Sequence, residues 1–342
     1  MRQAQVGLGF AGAGRWARAL AAAARRTGRL RVAGCYDPSA EAATSFQRRF
    51  GGRIFTSLEA LLEAPEVEGV VVVTPNRLHV PVAEEALRRS KPVFVEKPLA
   101  ECLAEATRLK AFAQAARVPV AVGHCARRLQ GIRRLRALVE SGDLGELVLL
   151  EANYSNDRAL DLSQGHWRAD PKQGAGGPWV QLGVHHVDTL HYLAGRIRRV
   201  WAVAKQLRTS APVQDTVGVL AEHRHGPVAY VGCAWVTPGV FWMRVCGTRA
   251  IAVYELDLRW WARSHHADVH SQLTVRQAGR GRRIPLERGD MLAEELAEFG
   301  QCVRGEAQPE VGVDEGLQAL AVLEAARRSA ETGHAEEVPE WL

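Results

Sequence analysis

Gly7-Leu8-Gly9-Phe10-Ala11-Gly12 matches the pattern G-x-G-x-x-G. An apolar run, Gln5 to Leu8, precedes it, and an Ala-rich stretch to about Arg26 follows it, so the pattern sits between a strand and a helix. In that setting Gly7 permits a tight turn, Gly9 lets the backbone approach a pyrophosphate, and Gly12 allows close helix packing, with Phe10 and Ala11 completing the loop. Free N–H groups at the helix start would receive the anion. Asp37 ends the next apolar run, Leu30 to Tyr36. A carboxylate there accepts hydrogen bonds from an adenosine ribose. It would also repel a 2′-phosphate, by about 1 kcal/mol per charge pair at 4 Å even in water. This reading favours NAD over NADP; the plainer reading is a turn Asp before Pro38. Thr74-Pro75-Asn76-Arg77-Leu78-His79 and Glu96-Lys97-Pro98 each follow an apolar run, where open α/β sheets bind ligands.

The elements that must position these residues alternate through the first 125 residues. Val70 to Val73 is a run of valines, as in a strand buried on both faces of a parallel sheet. Val93 to Val95 and Val118 to Val122 repeat it, with helical stretches from about Leu78 to Arg89 and Glu101 to Ala116 between them. Ser39 reads as a helix N-cap. Near residue 145 the texture changes: a polar, Gly-rich stretch from Arg158 to Gly177, a helix from about Trp179 to Leu193, then strand-like runs. These span Val200–Leu207, Thr216–Glu222, Val228–Val236, Phe241–Cys246 and Ile251–Leu256. His225-Gly226-Pro227 is a hairpin signal. Two helices close the chain, one striped by Leu292, Leu296, Phe299 and Val303, the other by Leu317, Leu320 and Leu323.

The expected fold is therefore α/β: an amino-terminal Rossmann domain with a doubly wound parallel sheet (residues 1–124), then an α/β domain with a large, mostly antiparallel open sheet (residues 125–342). Strands of that second sheet carry apolar residues on both faces: Val217, Val219 and Ala221 against Leu220, and Val231 and Cys233 against Tyr230. One face then packs on helices of its own chain and the other on a second copy, so a homodimer or homotetramer is expected.

Composition excludes several classes. With 47% hydrophobic and 24% charged residues, the chain is neither disordered nor fibrous. No apolar run approaches the ~18 residues of a membrane span, and Arg15 and Arg18 interrupt the stretch that could pass for a signal peptide. Six scattered cysteines without a CxxC pair read as reduced thiols of a cytoplasmic protein. The net charge is +6, and only five of the 44 cations are lysines. Arginines come in pairs (Arg25-Arg26, Arg48-Arg49, Arg88-Arg89, Arg327-Arg328) that suit helix C-termini rather than one nucleic-acid-binding face. The histidine-rich spots lack Cys or carboxylate partners at ligand spacing, so no metal is expected.

Taken with Gly177-Pro178-Trp179-Val180-Gln181-Leu182-Gly183-Val184-His185-His186-Val187-Asp188, these segments resemble the glucose–fructose oxidoreductase / inositol dehydrogenase / MocA (Gfo/Idh/MocA) family. The resemblance runs from the glycine loop to the helix at Gly316-Leu317-Gln318-Ala319-Leu320. It implies NAD(P)-dependent oxidation or reduction of sugars, cyclitols and their derivatives. It places the catalytic lysine on Lys97 and the catalytic histidine on His185, with Glu96 and Pro98 positioning Lys97. Thr74, Pro75, Asn76 and His79 would border the cofactor. Trp167 and Arg168 resemble a segment near the nicotinamide, and Arg127 falls where the family lines its substrate pocket.

The chemistry agrees. Removing hydride from a secondary alcohol leaves a proton for a base, which suits His185, and negative charge on oxygen, which suits Lys97. Gln181 departs from the family, which often has Asp here as a third catalytic group. Gln transfers no proton but can hydrogen-bond a substrate hydroxyl both ways. Asp188 reads as structural. The leading reading is an NAD-dependent oxidoreductase for a sugar-like substrate. The alternatives are an NAD-dependent glycosidase of the same fold and a non-catalytic sensor of dinucleotide and sugar.

Overall fold

The computed structural model describes residues 4–162, 167–170 and 176–340. The chain forms two compact units: Met1–Cys125 with Asp290–Leu317, and Ala126–Gly289 with Gln318–Leu342. In chain order the first 125 residues give β1 (Val6–Ala11), α1 (Arg15–Arg26), β2 (Leu30–Tyr36), α2 (Ala40–Phe50), β3 (Arg53–Ile54), α3 (Leu58–Glu63), β4 (Gly69–Val72), α4 (His79–Arg88), β5 (Val93–Glu96), α5 (Leu103–Ala116) and β6 (Val120–Gly123). Then follow α6 (Gln130–Glu140), β7 (Leu147–Ser155), a π-helical turn (Trp179–Gly183) and α7 (Val184–Ala194). Next come β8 (Ile197–Lys205), β9 (Thr216–His223), β10 (Val228–Ala234), β11 (Val240–Gly247), β12 (Ile251–Leu256), β13 (Ser271–Gln277) and β14 (Arg280–Ile284). The chain closes with α8 (Met291–Val303), α9 (Val313–Thr332) and β15 (Glu336–Glu337).

In the first unit, all pairs of the six-stranded sheet β3-β2-β1-β4-β5-β6 are parallel. Leu8, Phe10, Val70, Val71, Val93 and Val95 are fully buried because helices cover both faces. Strand order reverses between β1 and β4, which makes the carboxyl ends there the natural ligand crevice. Ser39 caps α2 by accepting the Ala42 amide. Arg25-Arg26, Arg48-Arg49 and Arg88 occupy last turns of helices, as expected for cations opposite the dipole's negative end.

The first unit takes the chain up to Cys125, and the carboxyl-terminal part does not stay in one unit. Residues 290–317 return to the first. The apolar stripe of α8 decides this: Phe299 meets Phe94 of β5 edge-on at 5.8 Å. Gly69 makes room, since a Cβ there would stand 2.8 Å from Val303 and 3.1 Å from Phe299.

The second unit holds a nine-stranded sheet, β14-β13-β12-β11-β7-β10-β9-β8-β15, antiparallel except for β7 with β10. Leu150, Ala152, Val219, Val231 and Met243 are buried on one face. On the other, Trp201, Leu220 and Tyr230 stand opposite one another in register and are 46%, 48% and 43% exposed, with Val203 and Val228 also exposed. Ion pairs edge this apolar face: Arg244 with Glu151, and Glu222 with Arg198 and Arg199. Sequence reading omitted α6, β13 and β14. Leu273 and Val275 of β13 do alternate with polar residues, but Arg280-Gly281-Arg282-Arg283 of β14 is an exposed edge with no apolar signal. Among the described residues, no helix is long and apolar enough to cross a membrane.

Truncating a buried Phe costs about 3–5 kcal/mol. Phe299→Ala should therefore destabilise the first unit by that amount, read as a lower denaturant midpoint in chemical unfolding. A midpoint at the native value would mean that α8 is not part of that core.

Candidate active site

The glycine turn after β1 lies five residues later than the sequence pattern suggested. β1 extends to Ala11, pairing with β2 and β4, so Gly7, Gly9, Phe10 and Ala11 are strand residues rather than loop residues. The strand glycines answer a packing need: a Cβ on Gly7 would stand 2.1 Å from the Glu66 carbonyl, and one on Gly9 2.7 Å from Val67. The turn itself is Gly12-Ala13-Gly14. Gly12 has φ +101°, and a Cβ there would stand 2.6 Å from the Val73 carbonyl. Gly14 caps α1 with no side-chain hydrogen bond and has open space where a Cβ would go. Ala17, fully buried, packs the helix closely on the sheet. Gly12-Ala13-Gly14-Arg15-Trp16-Ala17 is thus the G-x-G-x-x-A form of the fingerprint. Both registers were present in the sequence; the end of β1 decides between them.

Other residues of the first unit gather on this turn. Asp37 Oδ2 accepts the Ala13 amide at 2.8 Å and Oδ1 the Ser39 amide at 2.9 Å. Each oxygen keeps a further lone pair for a ribose hydroxyl. Thr74 follows β4 directly beneath Gly12, and its buried Oγ1 makes no hydrogen bond. An uncapped helix start, a turn lacking Cβ atoms at Gly12 and Gly14, and an unmet hydroxyl fit a bound dinucleotide. Pro75 precedes Asn76, which is buried.

His79 does different work from that expected. It is 1% exposed, and its Nδ1 and Nε2 lie 2.7 Å from the Pro98 carbonyl and 3.0 Å from the Thr74 carbonyl. Burial holds its pKa down to about 4, with the Lys97 charge acting the same way. The ring is held neutral and so carries a single N–H, which donates to one of these two carbonyls.

Glu96 ends β5 and is 5% exposed. Its Oε1 accepts the Trp16 indole N–H at 2.6 Å, and its Oε2 the Lys97 amide at 3.2 Å. Burial pushes its pKa up to about 7, opposed by the Lys97 charge and by both donors. The Lys97–Pro98 peptide is cis. Trp16 was missed by sequence reading, because nothing in its spacing signals a contact 80 residues away.

In the second unit, Gln181 sits in the π-helical turn and His185 in the first turn of α7, one continuous helical run. π-turns often mark functional sites. Gly183 leaves room for the Trp179 ring, which a Cβ would meet at 2.3 Å. Gln181 and His185 are 5% and 3% exposed. The His185 ring lies edge-on to Trp261 (5.1 Å) and tilted against Tyr154 (5.7 Å), two neighbours with no sequence signal. Asp188, expected to satisfy buried backbone, instead binds the Arg127 guanidinium bidentately, Nε at 2.8 Å and Nη2 at 2.9 Å. Arg127, assigned to substrate from the family pattern, is thereby committed to a buried ion pair and lies over Tyr192. Arg168 is half-buried in the short turn Trp167–Ala169. The Trp167 side chain lies outside the described residues.

Comparison with known proteins covers both units. A family described as an oxidoreductase family with an NAD-binding Rossmann fold matches residues 5–124, and the GFO/IDH/MocA C-terminal domain matches residues 132–276. Glucose-6-phosphate 3-dehydrogenase of Bacillus subtilis (strain 168) is 30% identical over 216 residues, 63% of this chain and 61% of the relative, so the match spans about three-fifths of that protein. A crystal structure from Desulfitobacterium hafniense DCB-2, named as a candidate NADPH-dependent oxidoreductase, is 34% identical with a TM-score of 0.95, covering 98% of each chain. Levoglucosan dehydrogenase in complex with NADH and levoglucosan shares the fold at 20% identity, TM-score 0.87, over 98% of this chain and 100% of that one.

Removing one partner of a buried ion pair strands the other charge, at about 3–5 kcal/mol. Arg127→Ala should lower stability by that amount in thermal or chemical unfolding. A variant as stable as the native protein would show that Arg127 is available for ligand binding after all.

Proposed function

The chain belongs to the Gfo/Idh/MocA family of NAD(P)-dependent oxidoreductases, and from that premise we propose that it is a cytoplasmic enzyme moving a hydride between NAD(H) and a secondary alcohol or ketone of a sugar, cyclitol or sugar derivative. The observation that carries this reading is Lys97, set beside buried Glu96 in the same unit as an uncapped glycine turn. Gly12, Gly14 and the amides opening α1 would hold the pyrophosphate, Asp37 the adenosine ribose, and Thr74 a further polar group of the dinucleotide. When bound, the nicotinamide supplies the hydride acceptor or donor. His185 takes the hydroxyl proton and returns it in the reverse direction. Lys97 steadies the negative charge that gathers on a substrate oxygen. Gln181 hydrogen-bonds a substrate hydroxyl without moving a proton.

The preference for NAD(H) rests on Asp37, whose carboxylate is fixed by two backbone amides where a 2′-phosphate would meet it. NADH should bind more tightly than NADPH, and Asp37→Ser should narrow the gap. Tighter NADPH binding to the native protein would reverse the assignment. Turnover should appear in a panel of sugars, cyclitols and nucleotide sugars followed by NADH absorbance. Lys97→Ala and His185→Ala should each lose about 10²–10⁴-fold in rate while NADH still binds. Gln181→Ala should lose less, mainly in KM. If the native protein bound NADH and sugar but turned over none, with Lys97 and His185 replaceable without consequence, it would be a sensor.

The exposed row Trp201–Leu220–Tyr230 supports assembly through the second-unit sheet, in a homodimer or homotetramer. Sedimentation at micromolar concentration should show the oligomer, and Leu220→Asp should dissociate it. A native monomer would refute this.

A further inference from the structure

The reaction assigned above makes no use of Trp16. It occupies the first turn of α1, the helix whose start would receive the pyrophosphate, and its indole reaches across to Glu96. Glu96 in turn leans over β6. A Cβ on Gly123 would stand 2.9 Å from Glu96 Oε1, so that strand carries glycine where the carboxyl lies. Three elements, α1, β5 and β6, thus converge on one buried carboxyl, and the residue after it is Lys97.

An indole N–H donates and cannot accept. It is met by an oxygen lone pair, and most strongly by an ionised oxygen. The contact therefore favours the carboxylate over the acid. The Lys97 charge favours it too, while burial opposes it. Other groups complete the neighbourhood. The Cys125 thiol, past the end of β6, is pushed well up by burial and by the charges of Glu295 on α8 and Glu96. His79 on α4 is held neutral.

We propose that Trp16 is a positioning residue for Lys97: its N–H keeps Glu96 ionised and seated beside the lysine, so that Lys97 stays an ammonium held at the end of β5. Burial pushes the Glu96 carboxyl up to about 7, and the indole opposes that shift and helps keep it ionised. Below that value the carboxyl gains a proton, Lys97 loses its counter-charge, and the site loosens. The proposal rests on the role given to Lys97 above.

The test uses the full chain with Trp16→Phe, which removes the N–H and keeps a ring, Trp16→His, which restores a donor, Glu96→Gln, and the Trp16→Phe/Glu96→Gln double variant. Without ligand, the native tryptophan fluorescence should contain a component titrating near pH 7. It should vanish in Glu96→Gln and in Trp16→Phe. Hydrogen bonds to charged groups of this kind correspond to about one pH unit or more. The acid limb of kcat/KM should therefore rise by about that much in Trp16→Phe and move back in Trp16→His. The double variant should be no slower than Glu96→Gln, since residues acting through one another are not additive. An unmoved acid limb, or losses that add, would overturn the proposal. Should Trp16→Phe not fold, persistence of the titrating component in Glu96→Gln would overturn it equally. If the native protein oxidises no sugar, the functional reading fails by itself. The pH dependence of NADH affinity, read in the same variants, then decides the role of Trp16 by the same displacement.

Discussion

A carboxylate taken out of water must be given donors, and both units are arranged around that requirement. In the first, Glu96 has one oxygen on the Trp16 indole and the other on the Lys97 amide. In the second, Asp188 has both oxygens on Arg127. Each buried carboxyl belongs to a segment that also carries a residue assigned to catalysis: Lys97 follows Glu96, and His185 stands one helical turn before Asp188. Side chains from elsewhere in the chain fix the segment by satisfying its charge.

The glycine turn shows the same economy in backbone form. Asp37 receives the Ala13 amide, so the carboxylate proposed to meet the ribose also shapes the turn proposed to meet the phosphates. His79 lies between the Thr74 and Pro98 carbonyls, and its single N–H donates to one of them. Held neutral by burial, the ring adds no charge beside the lysine. A charge-poor, hydrogen-bonded scaffold around one ammonium suits a site that must steady a developing oxyanion.

Trp261 and Tyr154 supply the corresponding support in the second unit. They pack on the His185 ring, Trp261 edge-on and Tyr154 tilted. His185 is left 3% exposed among them.

What the sequence determined by itself was whatever a local pattern can encode. Valine runs spaced by helical stretches specified a parallel sheet. The Ser39 cap, the Gly226 hairpin and the two-faced apolar strands were equally legible, as were Lys97, Gln181, His185 and Asp188 through their motif segments. Only the tertiary structure decided the rest. Two glycine registers fit one fingerprint, and pairing of β1 with β2 and β4 as far as Ala11 selects the later one. The α8 stripe was visible, but not its destination, because an apolar face specifies burial and not the partner that buries it. Arg127 and His79 looked available for ligands, and Trp16 looked like any helix residue. Their partners lie 61, 19 and 80 positions away, and a hydrogen bond between distant residues leaves no periodic trace in a sequence.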